Sequence, residues 1–152
     1  MRHVLGVDTS SARLAWAGDC GYGYVDGEGG ADVRRMALYH AAKSLFSSQK
    51  HNTLIVIEEP LSLRNGKTNR LLSLAAGAIW AAGIDCEVHT LFWANVSAWK
   101  KDTVGNGNAS KEMVKAWALE HESFPSDKLA LFEEAPDLFD AFAIWRYGMG
   151  LL

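Results

Sequence analysis

Val4-Leu5-Gly6-Val7-Asp8 is a short apolar run that ends in an acid. Such a run reads as a buried strand, and its last residue stands where the strand leaves the sheet. Downstream, Leu14-Ala15-Trp16-Ala17-Gly18 and Gly21-Tyr22-Gly23-Tyr24-Val25-Asp26-Gly27 read as two more strands of a meander, with Gly18, Asp19, Cys20 and Gly21 supplying the turn. From Ala31 to Ser48 the apolar residues Val33, Met36, Ala37 and Ala41 recur at helical spacing, which predicts a first amphipathic helix.

The stretch Thr53 to Glu59 (TLIVIEE) repeats the pattern of the first run: β-branched and apolar, then two acids and Pro60, which cannot continue a central strand. Leu71, Leu74, Ala75, Ala78, Ile79 and Ala82 follow helical spacing closely, with Gly83 placed to stop the helix. Residues 84–93 (IDCEVHTLFW) give a fifth strand. A short helical piece over Ala94 to Trp99 leads into a loop over 100–111 (KKDTVGNGNASK). Ser110, with Glu112 and Met113 behind it, starts a helix running to His121 with Val114, Trp117 and Ala118 inward. A last helix, from Pro136 to Tyr147, is apolar on most sides and must be well buried. Three strands, then helix, strand, helix, strand and helices, is a mixed α/β pattern with helices available to both faces of one sheet.

At 152 residues and 49% hydrophobic composition, the expected organisation is a single domain over 1–152. No run of about 18 apolar residues occurs and no secretion-signal pattern opens the chain, so a soluble, cytoplasmic protein away from membranes is expected. Cys20 and Cys86 are far apart and outside any CxxC spacing, which suggests neither a disulfide framework nor a thiolate zinc site, and both read as ordinary buried or half-buried thiols. A net charge of −3 opposes binding to a polyanion, but the charge is unevenly distributed. Arg64, Lys67, Arg70, Lys100, Lys101, Lys111 and Lys115 fall in the middle, whereas Glu120, Glu122, Asp127, Glu133 and Glu134 gather after them. Either a basic face opposes an acidic back, or these are solvated faces of unrelated helices.

Asp137 and Asp140, three residues apart on a helix, lie about 60° apart around it. Ile144 and Ala141 share their neighbourhood, so that face need not point to water. Two close carboxylates in an apolar setting lose hydration and repel each other, and a divalent cation compensates both effects. For the pair alone, a dipole-favoured acid at the helix start beside an exposed Asp140 is an equally good reading. The balance moves once Asp8 and Glu58, each ending a hydrophobic strand, are added. If those strands are neighbours, four carboxylates from three elements converge, which is the oxygen-rich set that magnesium prefers. His3, His40, His51, His89 and His121 show no metal-ligand spacing.

The ordered set VLGVD, VIEEPL, KKDTVGNGNASKEMV and PDLFDAFAI resembles the RuvC-type Holliday-junction resolvases of the ribonuclease-H-like superfamily. The likeness runs from Ile55 to the end, including LRNGKTNRLLSLAAG, and is weak over residues 9–52. It implies a ribonuclease-H-like fold with a mixed five-stranded sheet and helices on both faces. It also implies a structure-selective endonuclease that hydrolyses branched DNA with two Mg2+ ions, Mn2+ substituting, to leave 5'-phosphate and 3'-hydroxyl nicks. Asp8, Glu58, Asp137 and Asp140 take the places of the family's metal-binding acids, with Glu59 as alternate at the second position. Lys111 takes the place of a lysine implicated in activity, and Lys100 or Lys101 that of one contacting DNA. Arg64, Lys67 and Arg70 extend the expected DNA track, and a homodimer is expected through the helix from Thr68 to Ala82.

Two departures stand out. Leu61 occupies the position where related bacterial enzymes carry an aromatic wedge, and Thr9 and Ser10 replace the usual glycine after the first aspartate, so another means of opening the junction is needed and a strict cutting sequence is not expected. The short chain and divergent N-terminal third suit a phage-borne member acting in the host cytoplasm. The loop before Lys111 is not a nucleotide-binding loop, because no glycine precedes the lysine and Glu112 follows it. Its amides at Gly105 to Ala109 are expected to contact phosphates, unless the loop is an uninvolved surface segment. The alternatives are a nuclease of the same fold acting on flaps or RNA-containing duplexes, and a non-catalytic branched-DNA-binding protein; the second gains nothing from clustered acids facing phosphate.

Overall fold

The structure, a computed structural model, describes residues 3–61, 65–87 and 89–152. Strands β1 (Val4–Thr9), β2 (Arg13–Gly18), β3 (Gly21–Asp26), β4 (Leu54–Glu58) and β5 (Thr90–Ala94) form one sheet in the order β3-β2-β1-β4-β5. The first three make an antiparallel meander, and β4 and β5 run parallel to β1. The sheet is therefore mixed. Parallel neighbours need crossovers, supplied by helix α1 (Ala31–Ser47) before β4 and α2 (Gly66–Asp85) before β5. Four further helices follow: α3 (Val96–Val104), α4 (Lys111–Glu120), α5 (Leu129–Glu134) and α6 (Asp137–Gly150). Among the described residues no helix is long and apolar enough to cross a membrane.

The strand period of two splits the core into two layers. Leu5, Val7, Leu14, Ile55 and Ile57 pack against Leu38, Ala42 and Phe46 of α1 and Ala75, Ile79 and Ala82 of α2. Val4, Ala15, Ala17 and Val56 face the other way, onto Leu138, Ala141, Phe142 and Trp145 of α6 and the helices around it. This is the ribonuclease-H-like α/β arrangement with helices on both faces.

The structure corrects several boundaries and faces. In α1 the buried row is Leu38, Ala42 and Phe46, spaced i, i+4 and i+8 on the face turned to the sheet, while Val33 and Met36 lie off that face and are exposed. In α2, Leu74 is exposed and Ala76 is buried, and Gly83 continues the helix rather than ending it. The reason is contact: a Cβ at Gly83 would stand 2.6 Å from a Leu91 methyl on β5. Residues 84–85 belong to α2, so β5 begins only at Thr90. Helix α3 runs to Val104, with Gly105 in the left-handed conformation as its cap, which places Lys100 and Lys101 on a helix rather than a loop. A 3-10 turn at Ser126–Lys128 and the six-residue α5 have no counterpart in the sequence pattern, being too short to show a period. Phe132 of α5 and Phe124, just before the 3-10 turn, pack their rings on Phe139 and Phe142 in the first turns of α6.

Candidate metal centre

Register places the strand-end acids. Val7 pairs with Ile57 across β1 and β4, so the next step along both strands brings Asp8 beside Glu58. Asp8 shares the face of Val4, and Glu58 that of Val56, so both turn toward α6 rather than toward α1 and α2. The turn after Asp8 is made without glycine. The Ser10 hydroxyl accepts from the Arg13 amide at 3.0 Å and from the Ala12 amide at 3.3 Å, and the Ser10 amide donates to the Arg13 carbonyl. Ser10 thus ties a turn tight enough to launch β2.

Helix α6 reaches these acids because it lies directly on β1. At Gly6 a Cβ would come within 2.5 Å of the Ala141 carbonyl oxygen and 2.7 Å of the Trp145 Cα. At Gly148, one would meet Val4 and Val56 at 2.6 and 2.7 Å. With glycine at both crossings, the first turn of α6 overhangs the end of β1. Carboxylate oxygens of Asp8, Asp137 and Asp140 consequently lie within 4.8 Å of one another. Asp8 and Asp140 are buried and Asp137 is half-buried.

Three unit charges at that spacing repel by about 3 kcal/mol per pair at an effective dielectric near 20. Burial, then the neighbouring Glu58, Asp140 and Asp137, pushes the Asp8 carboxyl well above its usual range. Burial raises Asp140 too, against the pull of Lys111 and Lys100. Glu58 is pushed up to about 7, first by burial and then by Asp140, although a hydrogen bond from Trp99 works in the other direction. In direct contact with the aspartates stands Lys111, whose ammonium is 3.1 Å from Asp137 Oδ1 and 3.6 Å from Asp140 Oδ2. Burial lowers the lysine's pKa, but Asp140, Asp137 and Asp8 together outweigh it. One ammonium cannot neutralise this set. An all-oxygen donor group with surplus negative charge and partial burial fits a hard divalent cation such as Mg2+.

The acids open into a cleft of about 240 Å³ lined also by Thr9, Ser10, Glu58, Leu61, Leu72, Val96, Trp99, Lys100 and Lys111. Glu58 shares this cleft, but it is not one of the three acids at closest spacing. Glu59 is exposed, and its amide donates to the Ala94 carbonyl. The Lys100 ammonium donates to the Ala109 carbonyl at 2.9 Å, whereas Lys101 is exposed and does not line the cleft. Lys67 and Arg70 are exposed on the first turns of α2, the helix whose Leu72 reaches the cleft. Arg64 lies outside the described residues.

Two neighbours escaped the sequence reading. Arg13 holds Asp26 through two hydrogen bonds of 2.6 and 3.0 Å and lies 3.8 Å from Asp137. Its signal was parity: Arg13 alternates with Leu14 and so shares the face of Ala15, toward α6. The second is Trp99, fully buried, whose indole N–H donates to Glu58 Oε2 at 3.0 Å.

No family model matches the chain. Crossover junction endodeoxyribonucleases RuvC from Chlamydia trachomatis serovars L2, L2b and A are 32% identical to it over 117 residues. The match covers 73% of this chain and 66% of each relative's length. The fold is similar to that of Thermus thermophilus RuvC, with a TM-score of 0.69 and 19% identity over 94% of this chain and 90% of that one. The T. thermophilus RuvC structure in complex with a Holliday junction substrate is similar with a TM-score of 0.66 and 20% identity, at the same coverage of 94% and 90%.

Proposed function

This chain belongs to the RuvC family, and on that footing we propose that it is a structure-selective endonuclease that resolves four-way and other branched DNA junctions. The observation that carries the reading is the convergence of Asp8, Asp137 and Asp140 within 4.8 Å in a cleft shared with Glu58. A protein that only held DNA would be weakened by such a cluster, because it repels phosphate. A nuclease needs it to hold cations.

In this proposal Asp8, Asp137 and Asp140 hold Mg2+, or Mn2+ in its place, and Glu58 completes the oxygen set. Two bound ions would supply a water made nucleophilic near neutral pH and charge stabilisation of the leaving 3'-oxygen. The products would be 5'-phosphate and 3'-hydroxyl ends, ready for ligation. Lys111, paired with Asp137 and Asp140, would offer its ammonium to the scissile phosphate as a point charge. Lys100 and Lys101 on α3, Lys67 and Arg70 on α2, and Arg64 would contact the backbone as point charges that set position rather than sequence. Leu61, half exposed and lining the cleft, lacks the aromatic ring that would stack on an opened base pair.

Two strands must be cut symmetrically in a four-way junction, which a two-fold dimer of identical sites achieves. Met36 on α1 and Leu74, Gly77 and Ala78 on α2 line an apolar groove on the face away from the acids. We assign the dimer contact to this groove. The whole of 1–152 would act as one nuclease domain in the cytoplasm, the host's if the chain is phage-borne.

Incubating the purified protein with a synthetic four-way junction, a flap and a linear duplex, in Mg2+ and in EDTA, tests the reading. Junction cutting in Mg2+ alone is expected. Equal cutting of linear duplex contradicts junction resolution, and preference for the flap favours the flap-nuclease alternative.

A further inference from the structure

We propose that Trp99 is a positioning residue that fixes Glu58 for cation binding through its indole N–H, an inference that rests on the acid cluster being a metal site. Indole carries a single donor and no acceptor. In Trp99 that donor meets Glu58 Oε2 at 3.0 Å, inside a side chain with no exposed surface. With Oε2 held, the orientation of the whole carboxylate is set, and Oε1 keeps its full accepting capacity for a cation.

The local fold explains why a residue of α3 reaches a residue of β4. Ala94, the last residue of β5, pairs with Glu58 in parallel register. Asn95 follows at once and caps α3, its side chain accepting from the Ala98 amide at 3.2 Å and its carbonyl from the Trp99 amide at 3.0 Å. Trp99 therefore sits one turn into a helix that starts beside Glu58. The face of the same indole carries the Lys100 ammonium, 5.5 Å from the ring centroid, and that ammonium is also anchored on the Ala109 carbonyl at 2.9 Å. One rigid side chain thus holds a carboxylate oxygen by its edge and a cation over its ring. Glu58 would otherwise be free to rotate about its side-chain bonds, and ordering it in advance removes an entropic cost of binding.

The test uses Trp99→Phe, which keeps an aromatic ring and removes the donor. Mn2+ binding is followed by electron paramagnetic resonance in the absence of DNA, and the indole N–H signals of the six tryptophans are followed by 15N-resolved NMR. About tenfold weaker Mn2+ binding is expected for the variant, the usual effect of losing an outer partner of a metal ligand. Junction affinity in EDTA should stay unchanged. In the otherwise native protein, Glu58→Gln should move the Trp99 indole signal upfield, since a neutral acceptor replaces a charged one. Unchanged Mn2+ binding in Trp99→Phe, or an indole signal indifferent to Glu58→Gln, overturns the proposal. Should Trp99→Phe fail to fold, the indole signal decides alone. A protein that leaves every junction uncut while both readouts respond loses the nuclease reading and keeps the positioning role.

Discussion

Gly6 and Trp145 lie backbone against backbone: a Cβ on Gly6 would stand 2.7 Å from the Trp145 Cα and closer still to its amide nitrogen. This crossing sets the height of α6 above the sheet, and with it the distance from Asp140 to Asp8. Gly6→Ala should destabilise the protein by about 1–3 kcal/mol, as overpacked core substitutions do. It should also weaken Mg2+ binding, because the two acids separate. Denaturant unfolding and metal titration check both effects, and a variant unchanged in either one removes this crossing as the determinant of the site.

Stability should depend on pH with a sign set by the raised acids. Burial and the neighbouring Asp140 push the Glu58 carboxyl up from an ordinary 4.5 to about 7, so between those values the folded protein binds more protons than the unfolded chain. Stability contributed by this group therefore falls as pH rises from 4.5 through 7, by on the order of 3 kcal/mol. Thermal melts in EDTA from pH 5.5 to 8 should show this decline, and Glu58→Gln should flatten it. Mg2+ should stabilise the protein more at pH 8 than at pH 5.5, since the cation competes with protons. Identical pH profiles for the native protein and Glu58→Gln would refute the assignment.

Lys111 acts as counter-charge to Asp137 and Asp140. Replacing it with Met should lower the EDTA melting temperature, by the equivalent of about 1 kcal/mol given the lysine's exposure. Mg2+ affinity should hold or tighten, because a competing cation is gone, while junction cleavage drops. Calorimetric titration beside a cleavage assay separates these. Weaker Mg2+ binding would mean that the lysine supports the metal site rather than occupying it.

Much of this molecule was legible in the sequence because its signals are strong and local. The runs at Val4–Asp8 and Leu54–Glu58 carry apolar β-branched residues up to an acid, and the register then places the two acids side by side. Ser110 caps α4 as expected, accepting from the Met113 amide at 3.2 Å. Elsewhere tertiary contact overrides pattern. Gly83 reads as a stop signal but serves the approach of Leu91, and Val33 and Met36 read as core but yield to Leu38 and Phe46. Trp99 carried no sequence sign of its hydrogen bond, because its partner is 41 residues away and meets it only through the β4–β5 pairing.

The apolar groove between α1 and α2 should hold the second subunit. Met36 is 63% exposed and Leu74 is 42% exposed, so placing charge there leaves the core intact. Met36→Glu combined with Leu74→Glu should shift the solution mass to that of a monomer and uncouple the two cuts. A native protein that is monomeric in solution yet makes paired cuts would contradict the symmetry argument.

The most direct test of the acid cluster is a comparison of Asp140→Asn with the native protein on one synthetic four-way junction in Mg2+, with binding and cleavage measured in the same samples. The native protein should nick opposing strands symmetrically, and the variant should bind the junction as well or better without cutting it. Full cleavage by Asp140→Asn would place the chemistry outside the cluster formed by Asp8, Asp137 and Asp140.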